Sequence, residues 1–374
     1  MPDNMFFSRD TKVYVAPLNP STGAEAALFE IPVLDGFSFS QATNSTEVTL
    51  NEMSAGSNVS RRGRKMFNDS LAPAEWSFST YARPFVSAGD GTTGDADSAA
   101  KTHAVEEVLW AMTVGDAGYS SYSFNNITNG TAAEGASISF SNSNVTTLGT
   151  ANIYFVLGKT GESAVTYKIS KCCVNEVGVD FDIDGITTLN WSGMGVEIIE
   201  QDTALTTTNA VIEGTAGTGN FIRNRLTELV AANGSGQSQV LTLTGGSITI
   251  SNNMTYLTPE TLGVVNTPLG HVTGTRSISG SFTCYLSNVQ HSSMDLFEAL
   301  VEDKTTITHA YDLEFKVGGA AAPNLSFDMP QCHLEIPTHS IEDVISLEVN
   351  FHALGSDIAE KDELSIKYLG QTLS

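Results

Sequence analysis

The chain has 374 residues and a formal net charge of −24, with 18 Lys and Arg against 42 Asp and Glu. That length is ample for two cores, since a single core stops growing near roughly 250 residues. So acidic a balance argues against gripping nucleic acid, which rests on clustered Lys and Arg releasing counterions from phosphates. Only 16% of residues are charged while Ser, Thr, Asn and Gly are plentiful, which favours strands and polar turns over long exposed helices.

Met1 to Asp10 has no basic start followed by an apolar run, and no stretch approaches about 18 consecutive apolar residues. Neither a secretory leader nor a membrane-crossing helix is expected. The four cysteines, Cys172, Cys173, Cys284 and Cys332, lack the spacing of a disulfide framework and are expected as reduced, partly buried thiols.

In chain order, the elements occur twice. Phe7 to Ala16 has a counterpart in Phe221 to Ala231, with one residue inserted. Ile31, Val33, Phe37 and Phe39 flank Asp35-Gly36 as Leu241, Leu243, Ile248 and Ile250 flank Gly245-Gly246, and both patterns predict hairpins. Trp76 to Tyr81 matches Gly280 to Tyr285, with Phe78 and Phe282 in the same phase of a period of two. One helix follows in each unit, carried by Val105, Val108, Leu109 and Met112 and then by Met294, Phe297, Leu300 and Val301. Closing strands run from Val177, Val179, Phe181 and Ile183 to Trp191, and from Ile336 and Ile341 to Phe351.

The expected fold is mainly β: two tandem domains, each a β-sandwich or barrel-like pair of sheets with one flanking helix. The first spans 6–200, with inserted surface loops at 84–103 and 113–150. A Thr- and Gly-rich linker covers 201–218, and the second domain spans 219–374. Such sheets expose edges that template pairing between chains, and a duplicated unit repeated around an axis makes a ring.

Motifs for chemistry are weak. Asp180, Asp182 and Asp184 with Gly185 mimic the start of a calcium loop, but Trp191 stands where a bidentate Glu is required. The alternation with Phe181 and Ile183 makes a polar strand face the better reading. Gly158-Lys159-Thr160 lacks the earlier glycine of a phosphate loop, and Cys332-His333 with His339 lacks a second thiolate at zinc-site spacing. No Gly-x-Ser-x-Gly elbow occurs, so no catalytic residue, cofactor site or metal site is assigned. The basic run Arg61, Arg62, Arg64 and Lys65, followed by Met66 and Phe67, stands out in so acidic a chain. It is read as a contact between subunits or rings, against the plainer alternative of a solvated loop.

Two long runs, Phe67 to Tyr81 and Gly245 to Pro259, closely resemble the major tail-tube proteins of long-tailed noncontractile bacteriophages of the T-five type. The opening segment with Arg223-Asn224 and the strand ending Trp191-Ser192-Gly193 are similar as well, so the likeness covers nearly the whole chain. The resemblance implies a non-enzymatic structural subunit in stacked sixfold rings, three copies of a two-domain chain per ring, forming the conduit for DNA ejection. It implies self-association as the main contact, with a tape-measure protein and tail terminator and tip proteins as further partners. Viral DNA would cross the lumen without specific binding, and no membrane partner is expected. The implied location is the virion tail, after synthesis in the cytoplasm of a bacterial host. The family member continues into an immunoglobulin-like decoration domain beyond the point matching Tyr368-Leu369-Gly370, where this sequence stops soon after. Asp180 and Asp182 are the expected lumen-facing residues. Two other classes stay open from the residues alone: a calcium-dependent surface-layer protein, separable by calcium-dependent folding, and a β-sandwich enzyme acting on carbohydrate, separable by a glycan hydrolysis screen.

Overall fold

The computed structural model of the protein describes residues 6–25, 27–48, 64–87, 89, 99–115, 119–120, 123–140, 148–158, 164–203, 205–206, 220–233, 238–305, 310–341, 343–358 and 360–370. Arg61, Arg62 and most of the expected linker 201–218 lie outside them. The chain begins with β1 (Thr11–Pro17), β2 (Phe29–Ile31), β3 (Ser38–Ser40), β4 (Thr43–Val48), β5 (Lys65–Leu71) and β6 (Ala74–Tyr81). A ribbon of β7 (Pro84–Val86) and β8 (Thr102–Ala104) leads to helix α1 (Glu107–Thr113). Short pieces β9 (Tyr119–Ser120), β10 (Ser123–Phe124), β11 (Ile127–Asn129) and β12 (Ala136–Ser139) follow. Next come β13 (Ala151–Leu157), the long β14 (Val165–Asp182), β15 (Thr188–Gly195) and β16 (Ile198–Gln201).

The second half carries β17 (Glu228–Asn233), the long β18 (Ser238–Ser251), β19 (Thr255–Leu257), β20 (Gly270–Val272), β21 (Ser277–Tyr285) and helix α2 (Ser293–Asp303). It ends with β22 (Tyr311–Val317), β23 (Asn324–Leu334), β24 (Thr338–Ile341), β25 (Ile345–Ala353) and β26 (Ser365–Leu369).

One antiparallel pairing scheme occurs twice. β1 pairs with β2 and β13, β13 with β14, β14 with β15, β15 with β6, and β6 with β3, which closes a barrel. In the second half β17 pairs with β18 and β22, β22 with β23, β23 with β25, β25 with β21, and β21 with β18. Alternation drives the folding: in β6 Ala74, Trp76, Phe78 and Thr80 are buried while Glu75, Ser77, Ser79 and Tyr81 turn outward.

β14 and β18 each change partners midway. The first part of β14 pairs with β13 and its end with β15, while β18 passes from β17 to β21 across a register shift at Leu243 to Gly245. The expected hairpin at Gly245-Gly246 is therefore a bend inside one strand. A Cβ at Gly246 would lie 2.6 Å from the Ser281 carbonyl oxygen, so the glycine serves close backbone approach instead of a turn. The Asp35-Gly36 hairpin is absent too, because β2 and β3 pair with different strands and together act as one broken strand.

The ends of β14 and β18 also pair with each other, from Glu176 opposite Ser251 to Asp182 opposite Gly245. This joins both barrels into a continuous sheet in the order β3, β6, β15, β14, β18, β21, β25, β24. Phe181 at the end of β14 stacks on Phe315 of β22 at 5.6 Å, so the apolar core runs through both barrels.

Segments 84–103 and 113–150, expected as surface loops, contribute more than loops. They supply β7 and β8 and the buried Phe124, Ile127, Ala136, Ile138 and Phe140, apolar positions masked in the sequence by Gly, Ser and Asn around them. β12 pairs with β26, and β26 pairs with β23, so the last strand stitches the two halves together. The helices differ from expectation as well. Every residue of α1 is buried, and α2 buries Leu296 and Leu300, while Met294 is 39% exposed.

At the start of α1, Glu106 is completely buried. The Tyr368 hydroxyl of β26 donates to its Oε1 at 2.6 Å, and Trp110 Nε1 donates to that hydroxyl oxygen at 2.7 Å. Burial pushes the Glu106 carboxyl up to about 7, against the Tyr368 hydrogen bond, which lowers it. A raised carboxyl stabilises the fold fully below its unfolded value and loses that stability as pH rises through the folded value. From 4.5 unfolded to about 7 folded, the loss at pH 8 is up to about 3 kcal/mol. Glu106→Gln, which imitates the protonated acid, is expected to melt with the wild-type chain at pH 4.5 and several degrees above it at pH 8. Calorimetry of the unassembled chain across that range checks the sign, and a gap that shrinks as pH rises refutes it.

Candidate functional site: an open polar face and two hairpins

While β24 at the edge is exposed throughout, the central strands of the joined sheet alternate, so that one face is buried and the other is mainly polar. Its cross-strand register forms rows. One row runs Ser38, Ser77, Ser192, Glu176, Ser251, Ser277, and the next runs Ser79, Asn190, Gly178, Thr249, Ser279, His352. A third runs Tyr81, Thr188, Asp180, Ser247, Ser281, Asn350. Asp182 and Glu348 stand in the row beyond, and no Lys or Arg occurs in any of these rows. Asp180 and Asp182 are both exposed on this face, and Asn190 Nδ2 donates to Asp180 Oδ2 at 3.1 Å. Hydroxyls and amides satisfy one another laterally: Ser38 and Ser77 Oγ lie 2.8 Å apart, and Ser79 Oγ donates to Asn190 Oδ1 at 2.7 Å.

Hairpin one, β4 with β5, leaves the first barrel between β3 and β6. Of the basic run, Arg64 grips Glu47 of its own hairpin in a bidentate pair, Nη2 to Oε2 at 2.5 Å, and Lys65 Nζ sits 4.9 Å over the Phe67 ring. Met66 is 61% exposed and Phe67 48%. Sequence proximity thus brings Arg64 to Phe67 onto one exposed ribbon, far in sequence from Asp180 and Asp182.

Hairpin two, β19 with β20, leaves the second barrel between β18 and β21 and folds onto the first barrel. The Tyr256 hydroxyl donates to the Lys171 carbonyl at 2.7 Å, and Met254 and Tyr256 pack with Leu148 and Cys173. Asn252 Nδ2 donates to the carbonyls of Thr113 and Val174 at 3.2 and 3.1 Å. Further out, Leu71 N–H donates to the Asn266 carbonyl and Asn266 N–H to the Asp69 carbonyl, tying the two hairpins side by side.

Cys173 Sγ lies 3.2 Å from His271 Nδ1, which raises the question of a thiolate and its base. The Leu148 N–H donates to His271 Nε2 at 3.2 Å, which leaves the ring proton on Nδ1, pointing at the sulfur. Burial pushes the thiol up to about 12 and lowers His271, the reverse of an activated pair. The contact anchors the hairpin. Cys332 is buried, while His339 meets the Phe297 ring edge-on at 4.7 Å. Asp184 lies past the end of β14, 3.8 Å from Arg225 Nη1. Among the described residues no group of three or more His, Cys, Asp or Glu could hold a metal ion. Tyr256, His271 and Asn266 escaped the sequence argument because they act on strands some 60 to 200 residues away, and only their place in a hairpin lacking its own core hinted at a docking role.

Comparison with known proteins agrees with this architecture. The family of phage tail tube proteins matches residues 13–353. The chain is 32% identical, over 382 aligned positions, to the tail tube protein pb6 of Escherichia phage T5, a match covering 98% of this chain and 77% of that protein.

Loss of the Tyr256 hydroxyl should loosen hairpin two alone. Tyr256→Phe is expected to cost about 1 kcal/mol locally, seen as faster amide exchange in β19 and β20 with β13 and β22 unchanged. Exchange that rises equally in all four strands would contradict an anchoring role.

Proposed function

The chain belongs to the phage tail tube protein family and is a structural subunit of a virion tail; from that premise we propose that three copies close a ring, and that stacked rings form the conduit for DNA ejection. The observation that carries this is the joined sheet with its polar face and two open edges. Among the described residues, β3 pairs only with β6 and β24 only with β25. Edge strands template further pairing, so β24 of one chain laid beside β3 of the next continues the sheet around an axis. The doubled pairing scheme supports division at 6–200 and 219–374, each domain supplying one sixth of the ring.

The polar face, apart from its margin at His352, then lines the lumen, with Asp180 and Asp182 among its carboxylates. Like charge on wall and DNA keeps the passing genome from sticking, and the small hydroxyl side chains that dominate the rows offer bases little surface to stack on. The basic segment Arg61, Arg62, Arg64, Lys65, Met66 and Phe67 acts at an assembly contact. Exposed ion pairs worth at most about 1 kcal/mol each do not order a loop alone, so burial of Met66 and Phe67 supplies the rest. The tape-measure protein and the terminator and tip proteins are the further partners, in a tail assembled from subunits made in the host cytoplasm.

Electron microscopy of assembled tubes is expected to give threefold rings with a pseudo-sixfold outline; six chains per ring would overturn the proposal. Tubes carrying Asp180→Lys and Asp182→Lys should form normally yet retain DNA at low salt and release it as ionic strength shortens the screening length. Ejection rates unaffected by the substitutions at low salt would remove both residues from the lumen.

A further inference from the structure

The chain holds, within itself, one worked example of a contact that a ring would repeat. Hairpin two leaves the second barrel and seats on the first, across the place where Cys173 faces Met194 on the polar side of β14 and β15. Hairpin one leaves the first barrel from the corresponding position, between β3 and β6 as hairpin two does between β18 and β21. Among the described residues no barrel of its own chain lies beneath it, and Met66 and Phe67 stand exposed where hairpin two covers its seat with Tyr256 and His271.

The corresponding seat on the second barrel is also open. There His333 faces His352 across β23 and β25. The Leu354 N–H donates to the Gln331 carbonyl, as the Val196 N–H does to the Ser170 carbonyl on the first barrel. His333 and His352 are exposed, Leu354 is 50% exposed, and Ile358 is fully exposed. Both seats are followed by acidic segments, Glu197, Glu200 and Asp202 after Val196 on the first barrel and a similar run after Leu354 on the second. What distinguishes them is that the first is already covered by hairpin two. The segment after Leu354 carries Asp357, Glu360 and Asp362 against a single Lys361, with Glu363 already paired to Arg276, and the segment joining β4 to β5 carries Arg61, Arg62 and Arg64.

We infer that hairpin one of each chain docks on the second barrel of the next chain in the same ring, over His333, His352, Leu354 and Ile358, as hairpin two docks on the first barrel of its own chain. The inference rests on the ring reading above and adds the acceptor surface and its place in the ring. A ring of alternating first and second barrels then receives one hairpin on every barrel and leaves no hairpin and no seat unused. Opposite charges select the occupant, so a basic hairpin meets an acidic seat between chains, while the seat on the first barrel is already filled.

Cysteine cross-linking tests this in assembled tubes. Met66→Cys combined with Leu354→Cys, and separately with His352→Cys, places thiols on the two surfaces, while the four native cysteines are buried. Mild oxidation is expected to give covalent species that stop at trimers on a denaturing gel, with neither single substitution producing them. Ladders longer than three chains would put the contact between rings and overturn the inference while leaving the ring itself standing. Intact tubes that yield no cross-link between chains with either pair overturn the docking, and threefold symmetry of those same tubes judges the ring separately. Should the double variants fail to assemble, a map of unaltered tubes decides the matter by whether Met66 lies on Leu354 of a neighbour in its own ring.

Discussion

Everything distinctive in this molecule depends on the antiparallel ladder between Glu176–Asp182 and Gly245–Ser251. Glu176–Asp180 pairs with β15 as well as with β18, and Gly245–Ser251 pairs with β21 as well as with β14. Central strands have no unpaired backbone groups to lose to water, so the junction between the barrels is as rigid as either barrel. It also sends Phe181 into the second core, where it meets Phe315 and Phe327. Without the ladder the open face would be two separate faces, and the register that brings hairpin two over the first barrel would be lost.

The ladder leaves one side of the sheet to solvent, and the composition of that side follows from the period of two. Ser and Thr at successive outward positions tolerate strand geometry and satisfy their hydroxyls with lateral neighbours. Carboxylates are spaced among them without a neutralising cation, which costs little where water reaches the face but forbids a close anionic partner. A surface of this kind is suited to passage, and it contrasts with hairpin one, where Arg64, Lys65, Met66 and Phe67 are concentrated on one exposed ribbon.

A second lock joins the two halves of the chain. β26 pairs with β12 on one side and β23 on the other, and its Tyr368 reaches α1 to satisfy one oxygen of the buried Glu106. The other oxygen, Oε2, has no hydrogen-bond partner among the described residues. A half-satisfied buried carboxyl is expensive when charged and cheap when protonated, which is why its protonation reports on the docking of the last strand.

Strand content, the repeat and the family likeness were legible in the residues, because period-two alternation and long matching runs are properties of contiguous sequence. The polar character of Asp180 and Asp182 was legible for the same reason. Partner choice was not. Gly245-Gly246 looks like a turn locally, and only the approach of Ser281 shows that the glycines admit a neighbouring backbone within a continuous strand. The core shows the same limit: Trp76 lies opposite Gly193 in the first barrel, while Gly280 lies opposite Phe351 in the second, so large and small residues have exchanged strands. A Cβ at Gly193 would lie 2.6 Å from the Trp76 ring, and one at Gly280 would lie 2.7 Å from the Phe351 ring. Volume is conserved across the pair and at neither position alone, so matching the repeats by residue type sets Trp191 beside Phe351, two positions out of register. The seat of hairpin two on a barrel about 80 to 100 residues earlier is a relation of the same kind. Local sequence determines which faces are apolar and where the chain can bend, whereas pairing, register and docking are decided by complementarity between segments that meet only in the folded molecule.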